Sequence, residues 1–178
     1  PGSGYVWTNR NAYVDFPGNY DITVGIIGAG MIGKMVIERL HQDLDGVRVV
    51  VFDPFLSDTA AAELRVEKCS LEELFAQSDV ISNHLANNPQ TVGMLNAQLF
   101  DRMKPNTTFI NTGRGAQVVE ADMIAALRAD PSRAAVLDVT YPEPPREDSP
   151  LYTLDNVYLT PHIAGSLGNE VRRMGEYM

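Results

Sequence analysis

The chain has little that would tie it to the outside of a cell, to a membrane or to nucleic acid. It holds one cysteine, Cys69, among 178 residues, so an internal disulfide framework is excluded and a reducing compartment fits. Nowhere does it carry the run of roughly 18 apolar residues that a spanning helix needs. The segment from Pro1 to Arg10 has no charged start followed by an apolar stretch, which speaks against a secretory signal. Basic residues are scarce: 14 Lys and Arg stand against 23 Asp and Glu, a net charge of −9. Such a surface repels phosphate backbones and anionic lipid, so neither nucleic acid nor membrane is expected as a partner. With 44% hydrophobic and 21% charged residues, the composition supports a folded core. The expectation is an acidic, cytoplasmic domain.

What is present is a rhythm. Residues 1–20 show no regular period and read as a lead-in segment; one domain is expected over 21–178. Ile22-Thr-Val-Gly-Ile-Ile-Gly28 is a nearly all-apolar run, as in a strand covered on both faces. Residues 31–43 place apolar groups at 32, 35, 36 and 40, a helical spacing. Further strands are expected at Val47–Phe52, Asp79–Leu85, Thr107–Thr112, Ala134–Thr140 and Val157–Thr160. Helices are expected at Ser57–Arg65, from the capping box Ser70-Leu-Glu-Glu73 to Gln77, at Asn96–Met103, at Val119–Asp130 and at Glu170–Met178. Strands alternating with helices imply an α/β fold of Rossmann type, a doubly wound parallel sheet in three αβα layers.

Gly28-Ala-Gly-Met-Ile-Gly33 is a G-x-G-x-x-G loop that follows a strand and opens a helix, the context that gives this pattern meaning. Gly28 suits a sharp turn. Gly30 lets backbone approach a pyrophosphate, and Gly33 lets the helix sit close to the strand. The amides of Met31 and Ile32 would face the phosphates at the positive end of the helix. Asp53, 25 residues after Gly28, can accept bonds from both adenine-ribose hydroxyls and would repel a 2′-phosphate, favouring NAD over NADP. Asp53 can also be read as a turn residue before Pro54, and a methyltransferase can show a similar loop and acid.

Ligands of a doubly wound sheet lie beyond the carboxyl ends of its strands. There the sequence puts His84 and Leu85, then Gly113-Arg114-Gly115, Glu143 and His162. A guanidinium at Arg114 could hold a substrate carboxylate in a forked geometry. His162 could exchange a proton with a carbonyl oxygen near neutral pH. Glu143 could orient that imidazole and stabilise its charged form. Taken singly, each has a plainer reading: a surface Arg, a solvated Glu, a His in a structural turn. His84 either lines a cofactor cleft or is a simple strand-end residue. Asp138, placed inside its strand, either bonds a carboxamide or is a buried acid satisfied by backbone. Cys69 receives no role, and no metal site is expected.

Together these pieces resemble the D-isomer-specific 2-hydroxyacid dehydrogenases. The resemblance rests on residues 24–33, Phe52-Asp-Pro54, Asp79-Val-Ile-Ser-Asn-His84, Phe109-Ile-Asn-Thr-Gly-Arg-Gly115, residues 137–144 and residues 156–165. It implies a catalytic Arg114, Glu143 and His162. It also implies NAD contacts at Met31, Ile32, Asp53, Leu85, Thr112, Asp138 and Gly165. It further implies a 2-hydroxy or 2-oxo acid substrate, a homodimer in the full-length protein, and a second, substrate-binding domain that this chain does not contain, so a truncated cofactor-binding half is expected. The chain departs from the family pattern at Asn83, where Leu is common, at Ala86, where Pro is usual, at Gly113, where Ala or Ser is usual, and at Leu167, where Thr is frequent. Glu143, not Gln, speaks against the formate dehydrogenase branch. A non-catalytic, NAD-responsive module of corepressor type is the alternative.

Overall fold

The computed structural model describes residue 18, residues 20–165 and residues 168–176. The lead-in segment expected at 1–20 lies almost wholly outside the described residues, as do Ser166, Leu167 and the last two residues of the helix expected to end at Met178.

Seven parallel strands form one sheet in the order β3-β2-β1-β4-β5-β6-β7. They are β1 (Thr23–Ile27), β2 (Arg48–Phe52), β3 (Glu67–Lys68), β4 (Val80–Asn83), β5 (Thr108–Asn111), β6 (Ala134–Leu137) and β7 (Val157–Leu159). The helices between them are α1 (Met31–Asp43), α2 (Asp58–Glu63), α3 (Leu71–Gln77), α4 (Ala97–Phe100) and α5 (Glu120–Ala129), and α6 (Asn169–Glu176) follows β7. The doubly wound α/β expectation therefore holds. The order of strands reverses between β1 and β4, which opens a crevice at their carboxyl ends.

Successive residues of a strand point to opposite faces, and the core divides accordingly. Ile26, Val49 and Val51 pack with Ile37 of α1 and Ala61 of α2 on one side. Ile27, Val50, Ile81 and Phe109 pack on the other, with α3, α4 and α5. There Phe75, Phe100 and Phe109 meet with ring centroids 5.2–6.3 Å apart. Burial on both faces is why β1 and β2 are apolar after their first residues, Thr23 and Arg48.

Local signals set several boundaries as expected. Helix α1 spans residues 31–43, and Ser70 with Glu73 forms a reciprocal capping box. Other elements are shorter than the sequence suggests. The strand expected to reach Thr140 ends at Leu137, because both ladders stop there: Asn111 pairs with Leu137, and Leu137 with Leu159. Asp138 therefore lies one residue past the strand, not inside it. Strand β4 likewise closes at Asn83, and α4 at Phe100. Strand β3 is an addition. It has two exposed polar residues on the sheet edge and no apolar run to announce it.

Candidate functional site

The glycine loop joins β1 to α1. Gly28 has φ +90°, and a Cβ there would sit 2.9 Å from the His84 carbonyl oxygen. A Cβ on Gly33 would lie 2.0 Å from the Gly28 carbonyl oxygen, so the helix is seated directly on the loop. At Gly30 a Cβ would meet no atom within 4 Å. That open space faces the start of α1, where Gly30 offers no side-chain cap and the first turn holds no acid. The first amides of a helix lack intrahelical partners, and the dipole there favours an anion. Met31 and Ile32 are 81% and 58% exposed, so nothing covers their backbone approach. The cradle fits a diphosphate.

Asp53 follows β2 and reaches this loop. Its Oδ2 accepts from the Ala29 amide at 2.7 Å and its Oδ1 from the Phe55 amide at 2.8 Å. A carboxylate has about four acceptor sites, so two bonds leave capacity for a ribose. Asp53 is thus both a turn residue and a strut of the glycine loop.

Glu143 and His162 come together. The imidazole Nδ1 stands 2.6 Å from Glu143 Oε1, with both side chains more than two-fifths exposed. His162 occupies the left-handed region at φ 54°, an uncommon conformation for a non-glycine residue. Asp138 holds it there. Its Oδ1 accepts from Thr160 Oγ1 at 2.5 Å and from the Ile163 amide at 2.8 Å, and its Oδ2 accepts from the Ala164 amide at 2.8 Å. Burial pushes the Asp138 carboxyl up, but those three bonds and the nearby His162 outweigh it, and the net shift is downward. The chain's own groups thus occupy three acceptor positions of Asp138, in keeping with the buried-acid reading.

Arg114 is exposed on the same rim. Its Nη1 donates to the Gly113 carbonyl at 2.7 Å, not to Glu143 or His162. The loop is nonetheless packed toward them. A Cβ on Gly115 would lie 2.0 Å from the carbonyl of Thr140, three residues before Glu143. Leu85 and Thr112 are half-buried at the ends of β4 and β5, while Gly165 is exposed beyond Asp138's clamp. His84 sits at the end of β4 with Nε2 2.9 Å from Ser82 Oγ, and burial pushes its imidazole pKa down. Cys69 is half-buried, and burial pushes its thiol up to about 11.

Three side chains escape the sequence reading: Asn83, Asn111 and Gln117, each 0–1% exposed. Asn83 Nδ2 donates to Asn111 Oδ1 at 3.0 Å and to Gln117 Oε1 at 2.7 Å. The signal available was an amide side chain as the last residue of a strand, at both Asn83 and Asn111.

Chemically, the rim offers an anion cradle, an exposed guanidinium and an imidazole whose Nδ1 is oriented by a carboxylate. The contact with Glu143 is made by Nδ1, not by Nε2. No helix among the described residues is long and apolar enough to cross a membrane.

Comparison with known proteins gives a consistent answer. A family model described as "D-isomer specific 2-hydroxyacid dehydrogenase, NAD binding domain" matches residues 5–164. The D-3-phosphoglycerate dehydrogenase of Mycobacterium tuberculosis is 39% identical over 153 residues, which are 86% of this chain and 28% of that protein. The apo crystal structure of Rhodotorula graminis D-mandelate dehydrogenase superposes with a TM-score of 0.80 at 30% identity, covering 89% of this chain and 46% of that one. The NAD-complexed D-isomer specific 2-hydroxyacid dehydrogenase of Lactobacillus delbrueckii ssp. bulgaricus gives 0.78 at 26%, covering 89% and 51%. The chain thus spans about half or less of each relative's length.

Proposed function

Given that this chain belongs to the D-isomer specific 2-hydroxyacid dehydrogenase family, by its NAD-binding domain, we propose that it forms the cofactor half of an enzyme reducing a 2-oxo acid, or oxidising the corresponding 2-hydroxy acid. The observation that carries this is the 2.6 Å contact between His162 and Glu143 at the carboxyl rim of the sheet. When bound, NAD(H) supplies or accepts the hydride.

Gly28, Gly30 and Gly33 shape the diphosphate site, and the amides of Met31 and Ile32 face it. Asp53 takes the ribose hydroxyls and disfavours a 2′-phosphate, which selects NAD. Leu85, Thr112, Asp138 and Gly165 line the nicotinamide side. Arg114 binds the substrate carboxylate. His162 as imidazolium gives a proton to the carbonyl oxygen in reduction and becomes neutral, or takes a proton from the hydroxyl in oxidation, and Glu143 stabilises the imidazolium form in both directions. A second domain would close the other wall of the cleft, and the full-length protein would be a homodimer.

The test is His162→Ala in the intact protein. Reduction of a panel of 2-oxo acids, read by NADH absorbance, should fall by about 10²–10⁴-fold, the range for a lost acid–base group. NADH binding, read by its fluorescence, should be nearly unchanged. Turnover equal to the parent would defeat the assignment of His162.

A further inference from the structure

We propose that the buried amide cluster of Asn83, Asn111 and Gln117 positions Arg114, fixing the guanidinium that meets the substrate carboxylate. The inference rests on the functional reading above. Asn111 Oδ1 accepts from the Gly113 amide at 3.0 Å. Gln117 Oε1 accepts from the Arg114 amide at 3.2 Å. Asn111 Nδ2 donates to the Arg114 carbonyl at 3.3 Å. Thus the backbone on both sides of the Arg114 Cα is gripped by buried side chains, while its exposed side chain is tied to the Gly113 carbonyl at 2.7 Å.

The cluster is tied back to the neighbouring strand end. Gln117 Nε2 donates to the carbonyls of Leu85 and Ala86, each at 3.1 Å, and Asn83 Oδ1 accepts from the Leu85 amide at 3.2 Å. The strand end beside the glycine loop is thereby locked to the loop that presents Arg114. Each amide is orientated by its partners, since reversing any of the three would set donor against donor. The loop also lies flat on the cluster: a Cβ on Gly113 would fall 2.8 Å from Gln117 Oε1 and 2.9 Å from Asn83 Nδ2. Asn83 and Gly113 therefore belong to one arrangement.

The cluster also contributes to stability, since apolar side chains of similar shape would leave the backbone groups of Leu85, Ala86, Gly113 and Arg114 without these partners. What the amides add is direction, because their bonds end on the loop that carries Arg114.

Strand β5 offers an internal control. Just before its amino end, Thr107 is also fully buried, and its Oγ1 donates to the Ser78 carbonyl at 3.0 Å, far from the rim. In the intact protein, Asn111→Leu and Thr107→Val should both lower the melting temperature. Only Asn111→Leu should raise KM for the 2-oxo acid, by about tenfold or more, with the Kd for NADH held within about twofold. A KM that is unchanged, or that rises equally in both variants, would overturn the proposal. If the parent protein reduces no 2-oxo acid, the functional reading fails by itself, and the cluster is judged on Arg114 directly. Modification of Arg114 by phenylglyoxal, followed by peptide mass, should then quicken severalfold in Asn111→Leu and not in Thr107→Val; equal rates would sink it. Should Asn111→Leu fail to fold, Gln117→Met removes the acceptor of the Arg114 amide and is read in the same way.

Discussion

The two rims of the sheet use the same residue types for opposite ends. At the amino rim, polar side chains close the chain on itself. Asp79 accepts from the Thr23 amide at 2.8 Å and pairs with Lys104 at 2.6 Å. Asn156 Nδ2 donates to the carbonyls of Leu127 and Arg133 at 3.0 and 2.7 Å. At the carboxyl rim the polar groups divide. Asp53, Asp138 and the amide cluster are turned inward and hold loops, while Arg114, Glu143 and His162 are exposed. The difference teaches that an exposed side chain can be placed by a neighbour that is itself turned inward. Asp138 lies 24 residues before His162, yet it bonds the residues on both sides of it and so sets where the imidazole stands.

That contrast can be broken or sharpened by substitution. The largest effect on stability is expected at the glycine loop. Gly33→Ala forces a Cβ to within 2.0 Å of the Gly28 carbonyl oxygen, and overpacking of this kind costs about 1–3 kcal/mol or more. Gly30→Ala meets no atom within 4 Å. It should leave the melting temperature nearly unchanged while weakening NADH binding by about tenfold, because the Cβ enters space a diphosphate needs. Equal loss of stability in the two variants would mean that Gly30 is structural as well.

A smaller effect is expected at Asp138. Asp138→Asn replaces a carboxylate that accepts three bonds by an amide with one acceptor oxygen, at about 1.5–3 kcal/mol for bonds to a charged group. Thermal unfolding should register that loss, and oxo-acid turnover should fall with it as the 160–164 turn loosens. Retained turnover with a lowered melting temperature would separate Asp138 from the placing of His162.

The smallest effect is a pH dependence. Burial pushes the pKa of the His84 imidazole down. As pH falls through the ordinary histidine value of about 6.5, the unfolded chain takes up a proton before the folded one does, so stability declines from there downward. Melting scans from pH about 7.5 to about 5 should show the decline, and His84→Gln should flatten it. A slope that His84→Gln leaves unaltered would place the titration elsewhere.

Much of this architecture was legible in the sequence, for a local reason. The apolar spacing of residues 31–43 and the Ser70–Glu73 pair act within one turn of helix, so they marked α1 and the start of α3 correctly. The inventory of the rim was legible too, since any group that follows a parallel strand must emerge at its carboxyl end. Element ends were less so. Whether β6 stops at Leu137 or runs on depends on where β5 and β7 stop, which no residue of β6 records.

By itself, then, the sequence determined the βα alternation, the glycine turn with its open position at Gly30, and the roster of strand-end groups. All of these follow from steric and hydrogen-bonding rules that act over a few residues. Only the tertiary structure decided that Asn83, Asn111 and Gln117 meet in one buried cluster, that Asp138 turns toward residues 160–164, and that Glu143 touches His162. Those partners lie 19 to 34 residues apart along the chain, and strand register, summed across the sheet, is what brings them within hydrogen-bonding distance.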